Sequence, residues 1–208
     1  MYKCFIFDID GTILDTEIVV LKSLQKALEM EGLVFPLEDL RFALGIPGEN
    51  ALSLLPISNP KRVLHNWIQL EESYFNEISV FSGLREVILF LSCCDVKIGI
   101  VTSKTKQEYI DGFEPFGLTD YFNHYICADD TDRHKPHPEP LQKCITHLKS
   151  KPEETIYIGD TQYDLQCAKS AGADFGLAYW GTKNIEGFQE ADHIFYKPTD
   201  ILSTLCPS

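Results

Sequence analysis

The chain has 208 residues, 44% apolar and 24% charged, which is the balance of a globular protein and not of a disordered one. A formal net charge of -13 argues against a nucleic-acid partner, because a phosphate backbone demands a basic face. The longest apolar runs, such as Val96 to Val101, are strand-sized, so no membrane span is expected.

The chain enters directly into a strand-like run, Tyr2 to Phe7, with no basic segment, apolar stretch and cleavage site before it. Its seven cysteines (Cys4, Cys93, Cys94, Cys127, Cys144, Cys167 and Cys206) are odd in number and contain no C-x-x-C pair. Free thiols in a reducing compartment explain that pattern better than disulfides or zinc, and a cytoplasmic protein is expected.

The spacing predicts a first strand at Lys3–Phe7, followed from Asp15 to Ser79 by helical patterns with no strand-like run. Thr16 to Glu31 places Val20, Leu21, Leu24, Ala27 and Leu28 on one face and stops at Gly32. Pro36 opens a second helix through Leu44, Gly45-Ile46-Pro47-Gly48 is a turn, and Pro60 opens a longer helix. That helix would carry Val63, Leu64, Trp67, Ile68, Leu70, Tyr74 and Phe75, with Trp67, Tyr74 and Phe75 in the insert's own core. Beyond it, strands are expected at Val96–Val101, His124–Cys127, Thr155–Ile158 and Asp174–Ala178, with a sixth at His193–Phe195. Alternating strands and helices imply a largely parallel sheet covered on both faces. The expected division is an α/β core of 1–14 and 80–208 with a helical insert of 15–79, hinged near Ile13–Thr16 and Ser79–Gly83.

Ligands of open α/β sheets bind beyond the carboxyl ends of the strands. At those ends stand Asp8-Ile9-Asp10-Gly11-Thr12, Thr102-Ser103 and Gly159-Asp160-Thr161, with the loop His134-Lys135-Pro136-His137-Pro138 between the last two. Asp8 and Asp10 lie two residues apart, so an extended chain puts both carboxylates on one side. Paired carboxylates must take a proton or share a cation, and magnesium prefers one or two carboxylates with waters and a phosphate. Asp160 can add another ligand, Lys135 a point charge for phosphate oxygens, Thr102 a hydroxyl, and Gly11 a turn that brings main-chain N–H groups to an anion.

Asp8-Ile9-Asp10-Gly11-Thr12, Thr102, Lys135-Pro136 and Gly159-Asp160-Thr161-Gln162-Tyr163-Asp164 resemble, in order, the four motifs of the haloacid dehalogenase superfamily. The helical insert resembles the cap of its phosphoglycolate phosphatase and β-phosphoglucomutase branch. Ala168-Lys169-Ser170-Ala171-Gly172 and Trp180-Gly181 also match; Phe81-Ser82-Gly83-Leu84 departs in having serine where the branch usually has proline. The resemblance implies an α/β, Rossmann-like core of parallel sheet sandwiched by helices, with an inserted all-helical cap domain. It implies a Mg2+-dependent phosphatase of a small phosphorylated metabolite, as a monomer or weak homodimer. Asp8 would attack phosphorus. Asp10 would protonate the leaving oxygen and then activate water. Asp8, the main-chain carbonyl of Asp10 and Asp160 would hold magnesium, with Asp164 behind them. Thr102 and Lys135 would grip the phosphoryl group, joined by Gly11 and Ser103. Asp10 favours phosphate esters, because dehalogenases of this superfamily lack an acid there and P-type ATPases carry lysine.

Several residues keep a second meaning. Thr161 to Asp164 is a capping box, so Asp164 also starts a helix; Thr105 to Glu108 is another. His134 and His137 read as solvated loop histidines. Asp15 and Glu17 sit at the hinge. Arg41 is the insert's best candidate for touching substrate, with a surface salt bridge as its alternative. Two other functions compete. A phosphosugar mutase of the β-phosphoglucomutase type usually has valine at Thr12 and a basic residue near Gly48. A non-catalytic binding or regulatory protein normally loses the nucleophile or the metal acid, and both Asp8 and Asp160 are present.

Overall fold

The computed structural model describes residues 1–205. Cys206 lies outside the described residues. In chain order the strands are β1 (Cys4–Phe7), β2 (Leu14–Asp15), β3 (Ser79–Val80), β4 (Lys97–Val101), β5 (His124–Ile126), β6 (Thr155–Gly159), β7 (Asp174–Ala178) and β8 (His193–Phe195). The helices are α1 (Glu17–Glu29), α2 (Gly48–Ser53), α3 (Pro60–Ser73), α4 (Leu84–Ser92), α5 (Lys106–Gly112), α6 (Glu139–His147), α7 (Gln162–Ala171) and α8 (Tyr179–Thr182).

Six strands form one parallel sheet in the order β5-β4-β1-β6-β7-β8. β1 is fully buried, and its side chains alternate between the two faces. Phe5 and Phe7 join Leu84, Val87 and Leu91 of α4 and Tyr109 of α5. Cys4 and Ile6 join Leu141 and Cys144 of α6 and Leu165 of α7. A strand enclosed on both sides needs apolar residues at consecutive positions, which is why Cys4-Phe5-Ile6-Phe7 has no polar member. The chain leaves β1 for β4 on one side and later returns as β6 on the other. The cleft at the carboxyl end of β1 is therefore a topological switch point.

Between β2 and β3 the chain is helical, apart from its turns. α1, a 3-10 segment at Leu37–Ala43, α2 and α3 enclose a cluster of their own, built on Leu24, Leu28, Leu40, Val63 and Trp67. Asn59 caps α3 by accepting the Arg62 N–H at 3.2 Å, and Pro60 occupies the first helical position. The insert joins the sheet through an antiparallel ribbon, Leu14 opposite Val80 and Asp15 opposite Ser79.

Four expectations change in detail. Residues 37–43 form a 3-10 segment, not an α-helix. The turn at Gly45–Gly48 runs straight into α2, and the β2–β3 ribbon adds strand pairing at the ends of a stretch read as strand-free. Tyr74 and Phe75 lie past the end of α3, where Phe75 turns to Phe116 of the core (ring centroids 5.4 Å apart) instead of the insert's interior. Cys4, Cys127, Cys144 and Cys167 are buried free thiols. No helix among the described residues is long and apolar enough to cross a membrane.

Candidate active site

Pairing with β6 holds the end of β1: the Asp8 N–H donates to the Ile158 carbonyl at 2.9 Å. The chain then folds on itself from Ile9 to Leu14, with the Ile13 and Leu14 N–H groups donating to the Ile9 carbonyl at 2.8 and 2.9 Å. Gly11 adopts φ +74°, and a β-carbon there would stand 2.2 Å from Asp160 Oδ2. Only glycine meets both conditions, so Asp160 lies directly against the turn after β1. The Thr12 hydroxyl donates to Asp160 Oδ1 at 3.1 Å. The Trp180 indole N–H donates to the Thr12 carbonyl at 2.9 Å and holds the same turn from the β7 side.

Lys135 is buried, with Nζ 3.0 Å from Asp8 Oδ1 and 2.8 Å from Asp164 Oδ1. Asp164 starts a helix, as its capping-box reading expects. It closes the capping box of α7, with Oδ2 accepting the Thr161 N–H and hydroxyl at 3.1 and 2.6 Å, and it anchors Lys135. The Tyr157 hydroxyl also lies 2.9 Å from Asp164 Oδ1.

Carboxylate oxygens of Asp8, Asp160 and Asp164 lie within 4.8 Å of one another. Burial pushes the Asp8 carboxyl up to about 7, with Asp164 and Asp10 adding to the rise and Lys135 opposing it. Asp160 is held well above the carboxylate range, by burial first and then by Asp164 and Asp8. Burial alone would depress Lys135, but Asp164 and Asp8 outweigh it and raise its affinity for the proton. Asp8 Oδ2 is buried without a hydrogen-bond partner among the described residues. Three carboxylates around one ammonium leave uncompensated negative charge and a free oxygen ligand, so this group fits a hard divalent cation such as Mg2+.

Asp10 points elsewhere. Its Oδ1 lies 3.0 Å from Nζ of Lys104, in the loop between β4 and α5. Burial disfavours the Lys104 charge, yet Asp10, Glu71 and Glu108 together raise its proton affinity. Sequence reasoning missed Lys104, although it follows Thr102 and Ser103 at a strand's carboxyl end. Thr102 is buried, and its hydroxyl accepts the Lys104 N–H at 3.2 Å. The Ser103 hydroxyl donates to the Gly45 carbonyl of the insert at 2.8 Å.

Sheet and insert flank a half-open cavity of about 80 Å³. Asp8, Asp10, Ser103 and Lys104 line it from below, and Leu44, Gly45, Leu64, Trp67, Ile68 and Glu71 are among the residues lining it from the insert. Arg41 stands apart from this cavity. It pairs with Glu17 at 2.5 Å and lines a neighbouring opening with Asp160 and Thr161. His137 Nε2 lies 3.0 Å from Arg133 Nη1, and neither His134 nor His137 belongs to the carboxylate cluster.

A haloacid dehalogenase-like hydrolase family model matches residues 5–178. Pyrophosphatase PpaX of Bacillus mycoides is 28% identical over 96% of this chain and 95% of its own length. PpaX of Bacillus cereus strain Q1 is 29% identical over 97% and 94%. A crystal structure from Lactobacillus plantarum, assigned as a phosphoglycolate phosphatase, superposes with a TM-score of 0.89 at 29% identity, covering 98% of this chain and 99% of that one. The chain belongs to the haloacid dehalogenase-like hydrolase family. It is an enzyme, a hydrolase of that family, and its α/β core is the family's fold.

Proposed function

We propose that this hydrolase is a Mg2+-dependent phosphatase that removes phosphate from a small phosphorylated metabolite by way of a phosphorylated Asp8. The observation that carries this reading is the meeting of buried Asp8, Asp164 and Lys135 with half-buried Asp160 in one cluster beside a small cavity. The names of the PpaX relatives and of the Lactobacillus plantarum structure support the phosphatase class. Residues 15–79 act as a cap over a core of 1–14 and 80–208.

Asp8, Asp160 and the main-chain carbonyl of Asp10 would hold Mg2+, with Asp164 supporting them from behind. When bound, the ion offsets the negative charge of the carboxylates and of the phosphoryl oxygens. Asp8 attacks phosphorus through a carboxylate oxygen, and the bond from phosphorus to the leaving oxygen breaks. Asp10, in its carboxylic acid form, gives that oxygen a proton. As a carboxylate, Asp10 then takes a proton from water as the water attacks phosphorus. The bond from phosphorus to Asp8 breaks, and inorganic phosphate departs. Lys135 neutralises the transferring group, with Thr102, Ser103 and the main chain at Gly11 beside it. Lys104 fixes Asp10 toward the cavity. The enclosing helices keep bulk water from the acyl phosphate. Buried free thiols support a reducing, cytoplasmic setting. The working form is a monomer or weak homodimer.

The test is phosphate release from a panel of small phosphate esters with Mg2+. The reading expects activity in the native chain and loss of at least roughly a thousandfold in Asp8→Ala. Release that survives this substitution contradicts it.

A further inference from the structure

The cavity above Asp10 is where a leaving group would sit if the chain is a phosphatase, and its charge distinguishes among leaving groups. Four carboxylates line it, those of Asp8, Asp10, Glu71 and Glu108, against the single ammonium of Lys104. Lys104 is already engaged, 3.0 Å from Asp10. Glu108 is engaged too, with Oε2 accepting the N–H and hydroxyl of Thr105 at 2.7 and 2.9 Å to start α5. Glu71, in the last turn of α3, has no ion-pair partner among the described residues. Beside it in the wall is Trp67, only 5% exposed, whose indole N–H is directed at the Glu71 carboxyl and favours its charged form, though short of full hydrogen-bond geometry. The rest of the wall is apolar: Val20, Ala43, Leu44, Ile46, Leu64 and Ile68.

We propose that this cavity selects phosphate esters of small alcohols that carry no negative charge, and that Glu71 is the specificity residue that rejects anionic leaving groups. A hydroxyl or ammonium on the leaving group finds an acceptor in Glu71, whose carboxylate the Trp67 indole N–H already favours in its charged form. A carboxylate or second phosphate would face Glu71 within apolar walls, where like charges repel strongly, and would have to draw Lys104 from Asp10. The inference rests on the phosphatase reading but runs against pyrophosphate or phosphoglycolate as the preferred substrate.

Phosphoethanolamine, 2-hydroxyethyl phosphate and phosphoglycolate share a two-carbon frame and differ in leaving-group charge. With the full chain and Mg2+ at about pH 8, where Glu71 is ionised, kcat/KM for the first two should exceed that for phosphoglycolate by about tenfold or more. Glu71→Gln should narrow that ratio by about tenfold, chiefly by raising kcat/KM for phosphoglycolate, whereas Glu71→Asp should keep the order. A merely structural role for Glu71 would lower all three rates together and leave the ratio unchanged. A native preference for phosphoglycolate, or a ratio untouched by Glu71→Gln, overturns the inference. So does release from p-nitrophenyl phosphate with none from the three small esters. Release that survives Asp8→Ala, or no release even from p-nitrophenyl phosphate, instead overturns the phosphatase reading itself.

Discussion

The Ser103 hydroxyl and the Gly45 carbonyl are 2.8 Å apart, and this hydrogen bond ties the loop after β4 to the turn before α2 across the mouth of the cavity. Gly45 has φ +81°, and a β-carbon there would stand 2.7 Å from the Thr161 methyl. The helical insert and the sheet domain thus meet at a hydrogen bond and a close backbone approach on opposite sides of one residue. Ser103→Ala removes one hydrogen bond, worth about 1 kcal/mol, and should lower kcat/KM by roughly fivefold with little change in melting temperature. Gly45→Ala adds steric conflict to a left-handed backbone and should cost more than Ser103→Ala. Steady-state kinetics on the two variants checks the order.

Metal binding should register as stability. Asp8, Asp160 and Asp164 crowd around Lys135, so a divalent cation relieves repulsion in the folded state alone. At a hundred times its Kd, Mg2+ should add about 2.7 kcal/mol. For a chain of this size that is a rise in Tm of roughly 5–10 °C, reversed by EDTA. Thermal melts of Asp160→Asn should show little of this rise, and an undiminished rise in that variant would remove Asp160 from the metal site.

Gly181 shows how far the site's support extends along the chain. A β-carbon there would lie 1.8 Å from the Gly11 carbonyl oxygen and 2.9 Å from the Asp160 β-carbon. Gly181→Ala must displace the turn that carries Asp10 or the strand end that carries Asp160. A stability loss of about 1–3 kcal/mol is expected from the overpacking, with a larger proportional fall in kcat. Denaturant melts beside kinetics separate the two.

Glu71 sets a pH signature on folding. Burial pushes its carboxyl up to about 7, with Asp10 and Glu108 adding to the shift and Lys104 opposing it. Between the ordinary glutamate value and about 7 the folded chain retains a proton that the unfolded chain has released. This group therefore contributes a fall in stability as pH rises through that window. Glu71→Gln removes the contribution, so the variant's Tm should gain on the native Tm between about pH 5 and about pH 8. A Tm difference constant across that range would show that Glu71 does not titrate as described.

The sheet was legible because its strands carry short runs dominated by β-branched and aromatic residues that pair only if buried on both faces, as at Ile98 to Val101, interrupted only by Gly99, and at Thr155 to Ile158. The carboxylates at the strand ends were legible for the same reason, since a strand's end fixes where its next residue stands. Less local features were not. The two-residue strands Leu14–Asp15 and Ser79–Val80 are too short to show a period and exist through their mutual pairing. The short helix at Gly48–Ser53 starts on glycine after proline, which reads as turn. Lys104 looks like a surface lysine beside a helix start, and its pairing with Asp10 appears only when β1 and β4 lie side by side. For Arg41 the competing partner was Glu17, at the start of α1 and in reach only once the insert has folded.

The central claim is that phosphate passes through the carboxylate of Asp8. Borohydride reduces an acyl phosphate and spares a free carboxylate, so enzyme quenched during turnover of an active ester, treated with borohydride and mapped by peptide mass spectrometry reports where the phosphate was. Homoserine is expected at position 8, dependent on substrate and on Mg2+. Reduction at another acidic residue, or sustained phosphate release with Asp8 unmodified at every quench time, would contradict it.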